Sequence, residues 1–211
     1  TWCKGRGPRP GGGELTDKMT GALPLAGADV VELAPGLGLT AKLLLERGPA
    51  SYMGVDEEPA AVAITHDAIG DAGPVVNASA KQTGRDDASC DVVVNEAMLT
   101  MNTDRSKREI VGEVARILRP GGRYAFHELA LTPDDLDPEL ATQIRKDLAR
   151  SIKVNARPLT VAEWRALLTD AGFEVEQVFT TDMALLEVRR LIADEGVGGT
   201  LRIGWASLVR R

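Results

Sequence analysis

Short apolar runs recur along the chain, separated by stretches whose hydrophobic residues return every three or four positions. The runs read as buried strands and the periodic stretches as helices with one apolar face. Strands are expected at Val30–Ala34, Tyr52–Val55, Val75–Asn77, Asp91–Asn95, Arg123–Leu131, Phe173–Thr180 and Trp205–Val209. Helices are expected at Leu39–Arg47, Pro59–Ile69, Arg105–Leu118 and Val161–Ala171. Arg119-Pro120-Gly121-Gly122 stops the third helix and Gly172 the fourth. Strand and helix therefore alternate. The alternation predicts an α/β fold, a doubly wound seven-stranded and mostly parallel sheet with helices on both faces. Its ligand is expected at the carboxyl ends of the strands, where strand order reverses.

One segment breaks the alternation. Thr132 to Pro158 begins with Pro133-Asp134-Asp135 and carries a helical stretch from Pro138 to Ser151. It predicts a helical insertion after strand 5, a lid-like element that covers a substrate. Thr160 with Glu163 three residues later is a capping box for the helix that follows. Residues 1–28, rich in Gly, Pro and Arg between Gly5 and Gly13, are expected to form a partly flexible extension, and residues 29–211 a single domain. Thr1 in place of Met points to further residues upstream, and the abrupt passage through Gly196 to Trp205 to further residues between Arg202 and Ile203.

Composition narrows the partners. The 211 residues, 44% hydrophobic and 27% charged, suffice for one sizeable core. A net charge of −6 and a pI of about 5.1, with no basic stripe, argue against nucleic acid as a partner. Cys3 and Cys90 are too few for a disulfide scaffold, and Cys90 beside an apolar strand reads as a small buried thiol, which fits a reducing cytoplasmic compartment. No apolar run approaches the roughly 18 residues of a membrane span, and no signal peptide opens the chain. The oligomeric state stays open, a homodimer included.

The richest stretch is Asp29-Val30-Val31-Glu32-Leu33-Ala34-Pro35-Gly36-Leu37-Gly38-Leu39-Thr40-Ala41, with Asp56 twenty residues beyond Gly36. It reads as a strand, a glycine turn, a helix and a second strand ending in a carboxylate. A nucleoside lying across strand tips needs bare backbone at the turn, which Gly36 and Gly38 supply. Asp56 stands where a carboxylate accepts hydrogen bonds from ribose hydroxyls.

With these residues, the chain resembles the class I, seven-stranded S-adenosylmethionine-dependent methyltransferases, in particular their small-molecule methyltransferase-domain group, over about residues 29–180. The resemblance rests on Glu32-Leu33-Ala34-Pro35-Gly36-Leu37-Gly38, in which Ala34 replaces the usual first glycine, and on Ile117-Leu118-Arg119-Pro120-Gly121-Gly122-Arg123, a helix-to-strand turn typical of the family. It implies S-adenosylmethionine as cofactor and S-adenosylhomocysteine as product. Glu32 would then serve the methionine end through water, Gly36 and Gly38 the close backbone approach, and Asp56 the ribose. Ser79-Ala80 occupies the place of the family's Asp-Ala, so that the Ser79 hydroxyl takes the adenine amino group and the Glu57 stem helps to sandwich the ring. Asn95, Glu96 and Ala97, at the tip of the fourth strand, would line the cofactor.

Gly36-Leu37-Gly38-Leu39-Thr40-Ala41 also satisfies the dinucleotide fingerprint, so a nicotinamide-dependent oxidoreductase is the competing enzyme class. The Leu-Arg-Pro-Gly-Gly turn, the acidic residue four before Gly36 and the lack of a Tyr-x-x-x-Lys pair favour the methyltransferase. A third reading is a non-catalytic cofactor-binding protein of the same fold.

Methyl transfer needs positioning and, for a hydroxyl acceptor, a base. His127-Glu128 falls near the tip of the fifth strand, and neighbouring strand residues face opposite ways, so one of the two is expected in the pocket. His127 is the first choice as base because an imidazole titrates near cellular pH, with Glu96 and Glu128 as further candidates. His66 reads as surface, Asp134-Asp135 as a solvated turn rather than metal ligands, and no metal is expected. Lys153, Asn155 and Arg157 stand in a loop that could grip a polar or anionic acceptor, although each by itself reads first as part of a solvated loop. Met183, Leu185 and Leu186 are expected in the core.

Overall fold

The computed structural model describes residues 12–181 and 205–210; Cys3, Met183, Leu185, Leu186 and the Arg202–Ile203 junction lie outside them. Seven strands form one sheet: β1 Asp29–Leu33, β2 Ser51–Asp56, β3 Val75–Asn77, β4 Cys90–Glu96, β5 Leu118–Glu128, β8 Glu174–Thr180 and β9 Trp205–Arg210. A second, two-stranded sheet joins β6 Ala130–Leu131 to β7 Leu159–Thr160. The helices are α1 Gly12–Gly21, α2 Leu39–Glu46, α3 Pro59–Ile69, α4 Asp104–Ile117, α5 Pro138–Ile152 and α6 Val161–Asp170.

In the order β3-β2-β1-β4-β5-β9-β8, only β9 runs against its neighbours, so the sheet is mostly parallel as expected. Order reverses between β1 and β4. Their carboxyl ends therefore diverge into a crevice, flanked by the turns that follow each strand.

The two faces carry separate cores. Val31, Leu33, Val93, Tyr124 and Phe126 pack with α4 and α6 residues Ile110, Val114, Trp164 and Leu168, whereas Val30, Val92, Val94 and Ala125 pack with Leu15 and Met19 of α1 and Ala41 and Leu44 of α2. Cys90 is buried as expected, and burial pushes its thiol up to about 12.

Two expectations need correction. The fifth strand, placed at Arg123–Leu131, instead starts at Leu118, absorbs Arg119-Pro120-Gly121-Gly122 as an irregularity opposite Asp91, and ends at Glu128; Ala130–Leu131 leaves for the small sheet. Arg119 explains this, because its two guanidinium nitrogens bridge Asp29 at 2.9 Å and Asp91 at 2.7 Å on the neighbouring strands. Gly122 is sterically required there, since a Cβ would lie 2.9 Å from the Arg119 carbonyl.

The extension is also more ordered than expected. Residues 12–21 form α1, with Leu15, Thr16, Met19 and Thr20 buried, and Leu23, Leu25 and Ala28 continue into the same core. The four-residue spacing of Leu15, Met19 and Leu23 is a helical stripe that the glycine-rich lead-in obscures. Asp134 and Asp135 lie in an exposed turn, as expected, and Asp134 Oδ1 also accepts from the Ala162 N–H at 2.9 Å, in the first turn of α6.

The insertion is helical where expected. Asp137 caps α5 by accepting from the N–H groups of Glu139 and Leu140, each at 3.0 Å, and Leu148 packs with Leu129 and Ala156 in a third cluster. The capping box of Thr160 and Glu163 is present at the start of α6.

Candidate active site

Parallel register brings the strand ends level. Leu33 pairs with Val55 and Asn95, Asp56 with Asn77, and Glu96 with His127, so residues remote in sequence share one rim.

The β1 turn is built for close approach by a ligand. Ala34, Gly36 and Gly38 all have positive φ, at 54°, 57° and 69°. The Thr65 hydroxyl holds the turn by donating to the Gly36 carbonyl at 2.9 Å. The two glycines serve different ends. A Cβ on Gly38 would lie 2.9 Å from the Ala68 Cβ, so Gly38 lets α2 meet α3, whereas one on Gly36 would meet nothing nearer than 3.9 Å, leaving open space over bare backbone. Ala34 takes up a glycine-like conformation despite its methyl.

Asp56 is nearly buried at the β2 tip, and its Oδ1 accepts from the Glu58 N–H at 3.0 Å, which aims the carboxylate and leaves Oδ2 for a ligand. Glu57 beside it is exposed. Glu32 is buried on β1 and accepts from the Tyr52 hydroxyl at 2.7 Å. Ser79 and Ala80 are half-buried in the turn after β3, where the Ser79 carbonyl accepts from Gln82 N–H at 2.9 Å. A bare turn with open space before it and an aimed carboxylate on the next strand fit the ribose and methionine portions of an adenosyl cofactor.

At the β4 tip the side chains divide by face. Asn95 is fully buried, accepting from the Tyr124 hydroxyl at 2.6 Å and donating to Glu128 at 3.1 Å, so its side chain belongs to the α4/α6 core rather than the cofactor crevice. Ala97 has φ 49°, and this bend swings three successive N–H groups toward Glu128. The Glu128 carboxylate accepts from the N–H groups of Met98, Leu99 and Thr100 at 2.8, 2.6 and 3.0 Å and from the Thr100 hydroxyl at 2.6 Å. Burial raises its pKa and these donors work against that. A carboxylate so enclosed fixes the β4 turn, which removes Glu128 from the candidates for a base.

Glu96 and His127 face the other way, toward α1 and α2. Glu96 Oε1 accepts from the Thr16 hydroxyl at 2.5 Å and lies 3.3 Å from His127 Nδ1, while Oε2 accepts from the Thr40 hydroxyl at 2.5 Å. Burial alone would raise the Glu96 pKa, but the bonds from His127, Thr16 and Thr40 outweigh it and the carboxyl is lowered. Three bonds therefore hold Glu96 as an anchor for the imidazole. The His127 ring is 3% exposed, held at Nδ1, and its Nε2 has no hydrogen-bond partner among the described residues. This is a carboxylate–imidazole dyad with one nitrogen unspent.

Sequence reasoning missed Thr16, Thr40 and Tyr52. Thr40 lies inside the glycine motif, but nothing local marks Thr16, which is 80 residues from its partner. His66 is exposed, as expected. Among the described residues no three His, Cys, Asp or Glu side chains cluster as metal ligands, and no helix is long and apolar enough to cross a membrane.

The chain is similar to known methyltransferases. A family described as "Methyltransferase domain" matches residues 31–126, which span the glycine turn, Asp56, Glu96 and the Arg-Pro-Gly-Gly turn. An uncharacterized protein of Haemophilus influenzae is 31% identical over 92% of this chain and 78% of its own length. The 27-O-demethylrifamycin SV methyltransferase of Amycolatopsis mediterranei is 26% identical over 77% of this chain and 60% of its own. Among solved structures, an S-adenosylmethionine-dependent methyltransferase from Mesorhizobium loti superposes with a TM-score of 0.69 at 20% identity, covering 93% of this chain and 98% of that one. The chain belongs to the class I S-adenosylmethionine-dependent methyltransferases.

Proposed function

We propose that the protein methylates a small molecule at oxygen, nitrogen or sulfur, with Glu32, Gly36, Gly38 and Asp56 holding the cofactor and His127 accepting the proton. The observation that carries this reading is the shared rim, where an open backbone turn and an aimed Asp56 lie on one side of the crevice and the Glu96–His127 dyad on the other. The name of the Amycolatopsis relative, which acts on a rifamycin, supports a small acceptor.

The bound cofactor supplies a methyl group on a sulfonium, ready for in-line displacement. The protein's part is to place the acceptor, exclude water and move a proton. Glu96 orients the imidazole through Nδ1, which leaves Nε2 to take the proton. Thr16 and Thr40 keep Glu96 in place.

Calorimetric titration with S-adenosylhomocysteine tests the cofactor half, with NADPH as the control that is expected not to bind. Asp56→Ala should weaken binding at least about tenfold, as loss of hydrogen bonds to a charged group does. Unchanged affinity rejects the ribose assignment. Turnover of labelled cofactor with phenols, amines and thiols tests the acceptor half. On any acceptor that reacts, His127→Asn should lower kcat about a hundredfold or more and leave cofactor affinity intact; an unaltered kcat removes His127 from the mechanism.

A further inference from the structure

A second concave site lies along the insertion. A cavity of about 340 Å³ is lined by Asp104 of α4, Arg145, Lys146 and Arg150 of α5, and Asn155 and Arg157 of the segment that follows. Its volume lies in the range of small-molecule pockets, about 300–1,000 Å³.

Its charge runs against that of the molecule. The chain is net acidic, at −6, yet four of the lining residues are cationic and one, Asp104, is acidic. That one acid is already engaged, 3.1 Å from the buried ammonium of Lys107. Arg145 and Arg150 have carboxylates of their own, Glu163 at 3.5 Å and Asp147 at 3.1 Å. Lys146 and Arg157 have none among the described residues, and both are exposed. Two uncompensated cations in one hollow, whose lining also includes Asn155, are an electrostatic complement to a compact anion.

The wall that carries Arg157 is also fixed rather than loose. The Arg157 N–H donates to the Thr100 carbonyl at 2.7 Å, and its own carbonyl accepts from Lys107 Nζ at 2.7 Å. Thr100 belongs to the β4 turn that Glu128 clamps, so the position of Arg157 is set by the same turn that ends the cofactor crevice. Leu148 and Ala156 pack together beneath the hollow.

We propose that this hollow binds the oxyanion of a small molecule, a phosphate or carboxylate group, through Lys146 and Arg157. The modest volume suits a small ligand rather than an extended polyanion. The group belongs either to the methyl acceptor itself or to a separate anionic ligand, and the chemistry of capture is the same for both.

Titration of the full chain with inorganic pyrophosphate tests the site, read by calorimetry and by amide shifts in residues 142–159. Saturable binding that weakens at least tenfold in the Lys146→Ala, Arg157→Ala double variant, with Arg157→Lys retaining part of it, supports the site. Binding that is absent, or equal in wild type and double variant, overturns it. Because neither side chain makes an ion pair among the described residues, the variants should unfold at the wild-type temperature, which separates lost binding from lost folding. Repeating the titration with S-adenosylhomocysteine bound assigns the source: a changed pyrophosphate affinity couples the site to methyl transfer and marks the acceptor, and an equal affinity marks an independent ligand, either result keeping the site. Cofactor titration without pyrophosphate reports separately on the methyltransferase reading.

Discussion

Ala34 stands at φ 54°, in a backbone region where a Cβ is unfavourable, at the position where the family has glycine. The methyl is kept at a strain of about 1 kcal/mol. Ala34→Gly should therefore raise stability by up to about 1 kcal/mol, less whatever the freer glycine adds to unfolded-state entropy. Thermal unfolding gives the answer, and a lowered melting temperature would mean that the Cβ packs better than its strain costs. Residue identity was legible here while residue orientation was not. Asn95 and Glu96 are adjacent in the sequence and equally polar, yet the strand pleat sends one into the α4/α6 core and the other to His127. His127 and Glu128 divide in the same way, and only the partners on each face show that Glu128 accepts backbone N–H groups.

At the scale of elements, periodicity found every strand of the main sheet and each helix from α2 to α6 to within a few residues. The helical stretch expected at Pro138–Ser151 is α5, Pro138–Ile152, because Asp137 and Pro138 mark its start locally. Both failures arise where long-range contacts outweigh local signals. The Arg-Pro-Gly-Gly turn stays in β5 because Arg119 is tied to two other strands. The α1 helix, behind a glycine run, is secured by contacts with the sheet, including the bond from Thr16 to Glu96. Thr16→Val keeps the shape of that side chain and deletes its hydroxyl. It should destabilise the protein by about 1.5–3 kcal/mol, the range for a hydrogen bond to a charged group, as read from urea unfolding. A loss below measurement would show that α1 is held by apolar packing alone.

For the whole molecule, acid stability depends on carboxylates whose folded environment favours charge. Glu113 on α4 is the clearest. Its carboxylate accepts from the Thr83 N–H at 2.8 Å, the Thr83 hydroxyl at 2.7 Å and Arg116 Nε at 2.8 Å, tying the 83–89 loop to the helix. Burial would raise its pKa, but the bonds from Arg116 and Thr83 reverse this and lower it from 4.5 to about 2. A lowered folded pKa means that the stabilisation is complete above about 4.5 and is lost as pH falls toward 2. Glu113→Gln should be less stable than wild type at neutral pH, with the difference closing through that window in denaturation at stepped pH. A gap independent of pH would assign the effect to packing. At this scale the division is clear. The alternation of strand and helix, the glycine turn with Asp56, the α5 helix and the capped α6 helix were legible locally, because periodicity, caps and turns are encoded within a few residues of each other. Folding in three dimensions is what sets the face each rim residue meets, the hold of Thr16 and Thr40 on Glu96, the use of Glu128 in the β4 turn and the sharing of one hollow by Lys146 and Arg157. Those pairings span tens of residues and depend on strand order and register, which no local pattern specifies.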